Sequence, residues 1–191
     1  TFTTPIKIDL TAPTVKLVND GGTYNIAVGA TTASISSKIT VSDVGGSEIK
    51  TLQYAWSQSN ETQPTVWSTF TNGTTVSKNA TGGSWYLWTQ VIDNAGNKKV
   101  SASKEFKVNY QIVYDANGGN GAPATQVKAY GTNITLNSTK PTKQGYTFKG
   151  WGSSNTSTTV EYKAGAVYSK NASIKLYAIW EGTVTFDKNY F

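Results

Sequence analysis

Apolar residues in this chain alternate with polar ones in short runs, and they do not recur at helical spacing. Between residues 14 and 108 such runs are "TVKLV", "SKITVSD", "IKTLQYAWS", "TVWSTF", "SWYLWTQVID" and "KEFKVN", separated by "NDGG", "DVGGS", "QSNETQP", "TNGT", "ATGG" and "DNAGN". A period of two between glycine- and asparagine-rich turns predicts antiparallel strands at the spacing of a β-sandwich. Alternation places Leu52, Tyr54 and Trp56 on one face of their strand. In the next long strand Trp85, Leu87, Thr89 and Val91 share one face, and Tyr86, Trp88, Gln90 and Ile92 the other. One face of each strand must meet an opposing layer, so Trp56, Trp85 and Leu87 are predicted core. In "DNAGN", Asp93 and Asn94 offer turn bonds to the backbone and Gly96 offers positive φ.

The pattern changes past Asn109. In "GYTFKGW", Tyr146 and Phe148 fall on one face and Thr147 and Lys149 on the other, which predicts a half-buried strand. Gly150 then permits a bulge that turns Trp151 back inward. The run "SIKLYAIW" puts Ile174, Leu176, Ala178 and Trp180 on a complementary apolar side. A domain of roughly 70 residues with no disulfide has few other means of support. Burying a large apolar side chain contributes about 1.5 to 3 kcal/mol, so Tyr146, Phe148, Trp151, Leu176 and Trp180 are predicted as its core.

The expected class is all-β, in two domains. Pro13 after "DLTA" biases Ala12 to extended geometry and marks a junction. Residues 1–10 are therefore expected to end a preceding module, 11–109 to form the sandwich, 110–181 the smaller β domain, and 182–191 the connector to a further module. With no Met anywhere, the chain is expected to be a piece of a longer protein. No apolar run approaches the roughly 18 residues that cross a bilayer, so no membrane span is expected in it.

Composition narrows the chemistry. There is no Cys, His, Met or Arg, which removes disulfides, Cys/His zinc sites, thiol catalysis and a histidine general base. The eleven Asp and Glu are scattered, so a paired-carboxylate enzyme is not expected. The net charge of +6 comes from lysines with one adjacent pair, Lys98 and Lys99. Arginine is the usual bidentate reader of guanine and phosphate, so nucleic acid is not an expected partner. A mild, salt-sensitive attraction to anionic glycans or wall polymers is consistent with the charge. Seven Asn-X-Ser/Thr triplets follow largely from the abundance of Asn, Ser and Thr. The chain is expected to be a monomer without a required cofactor.

Two candidate sites stand beside these readings. If Trp85, Leu87 and Val91 face the core, Tyr86 and Trp88 lie on the outer sheet face, where two rings could stack on a sugar; the plainer reading packs them on a neighbouring strand, loop or module. Asp43 and Asp93, with Asp9 and Asp20, are hard oxygen donors of the kind calcium needs, whereas the simpler role for Asp43 and Asp93 is turn bonding. No D-x-D-x-D run is present. No motif singles out a Lys–Asn crosslink.

"IDLTAPTVKL", "ITVSDVGGSEIKTLQYAWS" and "GGSWYLWTQVIDNAGN" together resemble a bacterial immunoglobulin-like domain. "VYDANGG", "PTKQGYTFKGW" and "LYAIW", in that order, resemble the Listeria/Bacteroides repeat, the internalin B-repeat family, over about 70 residues. The first resemblance implies tandem arrays on extracellular proteins, some of them stiffened by calcium at their junctions, and no catalytic residues. The second implies a small β-grasp-like domain on bacterial surface proteins that often serve attachment. Together they imply an extracellular, cell-surface or cell-wall location, in a Gram-positive organism. The function expected is a stalk or spacer whose partners are neighbouring modules of the chain. The alternative is a module binding glycans or a host ligand through Tyr86 and Trp88 or a lysine-bearing face.

Overall fold

The computed structural model describes residues 8–44 and 46–182. Most of the two expected junctions, residues 1–7 and 183–191, lies outside them. Among the described residues fourteen strands follow in chain order: β1 Thr14–Leu17, β2 Gly22–Ile26, β3 Ala33–Ser42, β4 Ile49–Ser57, β5 Ser68–Thr69, β6 Thr75–Ala80, β7 Gly83–Asp93, β8 Lys98–Ala102, β9 Phe106–Asp115, β10 Gln126–Lys128, β11 Ile134–Thr135, β12 Tyr146–Gly152, β13 Val167–Tyr168 and β14 Ile174–Gly182. The protein is all-β, as its alternation predicts. Two compact units divide the chain: one runs to Tyr24 and resumes over Ala33–Val108, and the other takes Asn25–Thr32 and continues from Asn109. The division falls inside β9, so the boundary expected between residues 109 and 110 lies within a strand.

In the first unit β1, β3 and β6 form an antiparallel sheet, with Val15 opposite Val41 and Ile35 opposite Lys78. Alternation is clean along β3: Ile35, Ser37, Ile39 and Val41 are buried, while Ser34, Lys38, Thr40 and Ser42 are exposed. A second antiparallel set joins β5, β4, β7 and β8, with Leu52 opposite Val91 and Trp56 opposite Leu87. Leu87, Val91 and Phe106 are fully buried. Phe106 collects rings: Trp56 meets it edge-on with centroids 5.1 Å apart, and Tyr24 stacks on it at 5.9 Å. Trp85 is half-buried at the start of β7, its indole N–H on the Thr81 carbonyl and the Lys78 ammonium over its ring.

In the second unit the strand order is β12, β14, β9, β10. β14 runs parallel to β9, with Leu176 opposite Tyr114, and antiparallel to β12. A parallel pair needs a long crossover, and the chain from β10 through β13 provides it. Ile112, Tyr114, Leu136, Trp151, Tyr168, Leu176 and Ala178 make the core, with Phe148, Tyr162, Ile174 and Trp180 packed around it. The Trp151 ring lies 4.9 Å from Tyr114 and 5.0 Å from Phe148, which itself meets Trp180 at 5.9 Å.

The bulge expected at Gly150 is present. Register between β12 and β14 shifts between Phe148 and Gly150, and Gly150 has φ of 151°. A methyl group there would also overlap Val160 and the Tyr162 carbonyl. The extra residue brings Trp151 to full burial, while its backbone bonds Tyr162 and Glu161. Tyr146 is a correction: expected in the core with Phe148, it is 47% exposed. It pairs with Gly182 at the far end of β14, beyond the core residues, and its ring carries the Lys143 ammonium at 4.5 Å.

Because both backbone conformation and space at position 150 require glycine, Gly150→Ala is expected to destabilise the second unit by about 1 to 3 kcal/mol, and Trp151→Ala by about 3 to 5 kcal/mol. Urea unfolding followed through amide protection in β12 and β14 checks both; a Gly150→Ala protein with the parental midpoint would contradict the bulge's role.

Candidate metal centre

Three segments of the first unit bring carboxylates together. Asp43 follows β3, Asp93 is the last residue of β7, and Asp9 stands on the segment that enters β1. One carboxylate oxygen from each lies within 4.8 Å of the others. For a hard cation bound at about 2.3 to 2.6 Å, ligands on opposite sides are about 4.6 to 5.2 Å apart, so the three oxygens fit around one ion. The donors are all oxygen, which suits calcium, magnesium or manganese and not zinc.

The surrounding hydrogen bonds fix two of the three carboxylates. Asp93 is fully buried; its Oδ1 accepts the Asn97 N–H and its Oδ2 the Asn97 side-chain amide, both at 2.8 Å. This closes "DNAGN" as a turn with Gly96 at φ of 95°. Asp9 Oδ1 accepts the Thr11 N–H at 3.0 Å and Oδ2 the Ser47 N–H at 2.8 Å, while the Asp9 carbonyl accepts Asn97 Nδ2 at 3.1 Å. The Thr11 N–H, with Ser47, holds the Asp9 carboxyl below the usual carboxylate range. Asn94 Nδ2 bonds the Ser47 carbonyl at 2.8 Å, and the Ala95 N–H bonds Ser47 Oγ at 2.9 Å, tying the turn after β7 to the loop after β3.

Asp43 differs. Both of its carboxylate oxygens are buried and neither has a hydrogen-bond partner. Gly46 closes over them, since a methyl group at position 46 would overlap both. A carboxylate removed from water without a donor or counter-ion is costly, and two more carboxylates beside it raise the cost. A bound cation removes both penalties at once.

The other expected residues lie elsewhere. Asp20 accepts the Lys104 N–H at 2.9 Å and pairs with the Lys104 ammonium at 3.8 Å, so it is not part of the cluster. Trp88 is 8% exposed and its indole N–H bonds the Ser59 carbonyl at 2.8 Å. Trp88 therefore packs on the chain after β4, as the plainer reading has it, and Tyr86 and Trp88 do not form an open pair of rings for a sugar. In the second unit a shallow groove of about 310 Å³ is lined by Lys140, Phe148, Lys149 and Lys163. Within it Lys149 is already paired with Glu181 at 2.8 Å and Lys163 bonds the Lys149 carbonyl.

Sequence reasoning passed over Ser47, Gly46 and Asn97, which hold the cluster. The signal for Gly46 was the "VGG" after Asp43 and that for Asn97 its place at the end of "DNAGN"; Ser47 carries none that distinguishes it from other polar loop residues.

The fold thus defines an all-β chain of two units with an acidic centre in the first. A family model, described as the Listeria-Bacteroides repeat domain, matches residues 110–179, within the second unit. Repeats of this kind occur in surface proteins. No curated protein matches the chain in sequence. Among the described residues no helix is long and apolar enough to cross a membrane.

Asp9 gives a pH signature. Its folded pKa is lowered, so its contribution to stability is complete above the unfolded value of about 3.9 and is lost as pH falls through the folded value. In chelator, melts of the parent and of Asp9→Asn are expected to differ by a constant amount at neutral and mildly acidic pH, and to converge under acid conditions.

Proposed function

We propose that this chain is a non-catalytic structural segment of an extracellular bacterial surface protein, a stalk or spacer in which an immunoglobulin-like sandwich precedes the repeat domain, and that calcium pins the chain where it enters the sandwich. Two antiparallel sheets in the first unit, one of them with β3 buried along a single face, support the sandwich reading. The repeat match over residues 110–179 supports the surface role, and a composition without Cys, His or Arg leaves few routes to catalysis. Partners on this reading are neighbouring modules of the same chain.

The observation that carries the proposal is the convergence of Asp9, Asp43 and Asp93 with both Asp43 oxygens unbonded. Calcium fits better than magnesium, because the donors come from the end of strand β7 and from two loops, and calcium accepts such irregular geometry, while magnesium demands a near-ideal octahedron. A cation there joins the segment before β1 to the ends of β3 and β7. A pull on the incoming chain is then resisted by ionic bonds as well as by the β1–β3 ladder. Sensitivity to calcium in the millimolar range is what extracellular calcium modules show.

The test is thermal unfolding in metal-free buffer against a calcium titration. Calcium at a hundred times its dissociation constant is expected to stabilise the first unit by about 2.7 kcal/mol, reversed by chelator. Asp43→Ala is expected to abolish the response and Asp20→Ala to leave it intact. A parental protein whose melting temperature ignores calcium would overturn the proposal.

A further inference from the structure

Lys128, the last residue of β10, is 1% exposed and sits in register with Tyr110 of β9. Its Nζ donates to Asn171 Oδ1 at 3.0 Å and to the Ala129 carbonyl at 3.2 Å, and lies 5.6 Å from the centre of the Tyr110 ring. Among the described residues no carboxylate lies within ion-pair distance of it. Burial without a counter-charge favours the neutral amine and pushes the Lys128 pKa down. A neutral, buried lysine amine is a nucleophile.

Its neighbour is an electrophile already polarised. Asn171 Oδ1 accepts the Gly131 N–H at 3.0 Å. That donor belongs to a turn in which Gly131 has φ of 70° and Thr132 Oγ1 bonds the Ala129 carbonyl at 3.1 Å. A fixed backbone N–H aimed at a carbonyl oxygen stabilises the negative charge that develops there on attack. Asn171 itself is exposed, which leaves its leaving group an exit to solvent.

We propose that Lys128 and Asn171 join in an intramolecular isopeptide bond. Once deprotonated, Nζ attacks Asn171 Cγ, forming the new C–N bond, and the carbonyl electron pair moves to Oδ1 beside the Gly131 N–H. A proton passes from Nζ to Nδ2 through solvent, the Cγ–Nδ2 bond breaks, and its electron pair leaves with ammonia. One amide and one ammonia replace one amine and one carboxamide, with no oxidation and no co-reactant. The bond ties β10 to the turn that leads into β14, adding a covalent tie within the second unit that does not depend on the cation in the first.

The test is the intact mass of the whole protein, incubated at mildly alkaline pH to favour the neutral amine. The expected mass is about 17 Da, one ammonia, below that of the sequence. Proteolysis followed by fragmentation is expected to give a branched peptide joining Lys128 to Asn171. Asn171→Ala, which keeps the buried lysine, is expected to restore the full sequence mass, and so is Lys128→Met if it folds. A folded parental protein with the full sequence mass, or one in which Asn171 has become aspartate with Lys128 free, would overturn the proposal.

Discussion

The second unit depends on the burial of one side chain, Trp151. Its ring contacts Tyr114 and Phe148, and Phe148 carries the contact on to Trp180, so one aromatic chain links β9, β12 and β14. The burial is complete enough to leave the Trp151 indole N–H without a partner. An unmade hydrogen bond of this kind costs about 1 to 3 kcal/mol, while removing a buried tryptophan side chain costs about 3 to 5 kcal/mol. Packing therefore outweighs the orphaned donor. The arrangement requires Gly150, because the bulge that re-aims Trp151 uses a backbone conformation closed to other residues.

The first unit is held by different means at its loop end. There the side chains of Asp9, Ser47, Asp93, Asn94 and Asn97 serve as backbone partners for three loops, replacing what a ladder would supply. Asp43 is the exception, contributing charge without a hydrogen bond. A cation at this point would offset the cost of an unbonded buried carboxylate beside two others. A chain with few charged residues overall, 15%, has placed three acids at a single point.

Much of this was legible from the residues. Alternation gave β3, β4, β7, β12 and β14, and the glycine in "FKGW" gave the bulge, because both follow from local geometry. Tyr146 failed because alternation assigns a face but not how far along the strand the opposing layer extends. Trp88 follows the plainer of its two readings, packed with its indole N–H on the Ser59 carbonyl of the chain after β4, although strand periodicity does not encode which segment covers it. Asp9, Asp43 and Asp93 could be named as oxygen donors, yet they are 34 to 84 positions apart in sequence and only the folded loops make them neighbours. Asp20, equally plausible by type, is spent on Lys104. Lys128 was invisible, since a lysine at the end of a three-residue strand reads as solvated.

The picture is of a chain in which side chains substitute for disulfides, with aromatic packing in one unit and converging carboxylates in the other. The measurement that tests it most directly is the crystal structure of the protein grown with calcium, with anomalous scattering used to locate the ion. The account predicts one peak among Asp9, Asp43 and Asp93, with six to eight oxygens at about 2.3 to 2.6 Å and an Asp43 oxygen among them. A lysine or ordered water filling that position in the presence of calcium, with the three carboxylates turned apart, would contradict it.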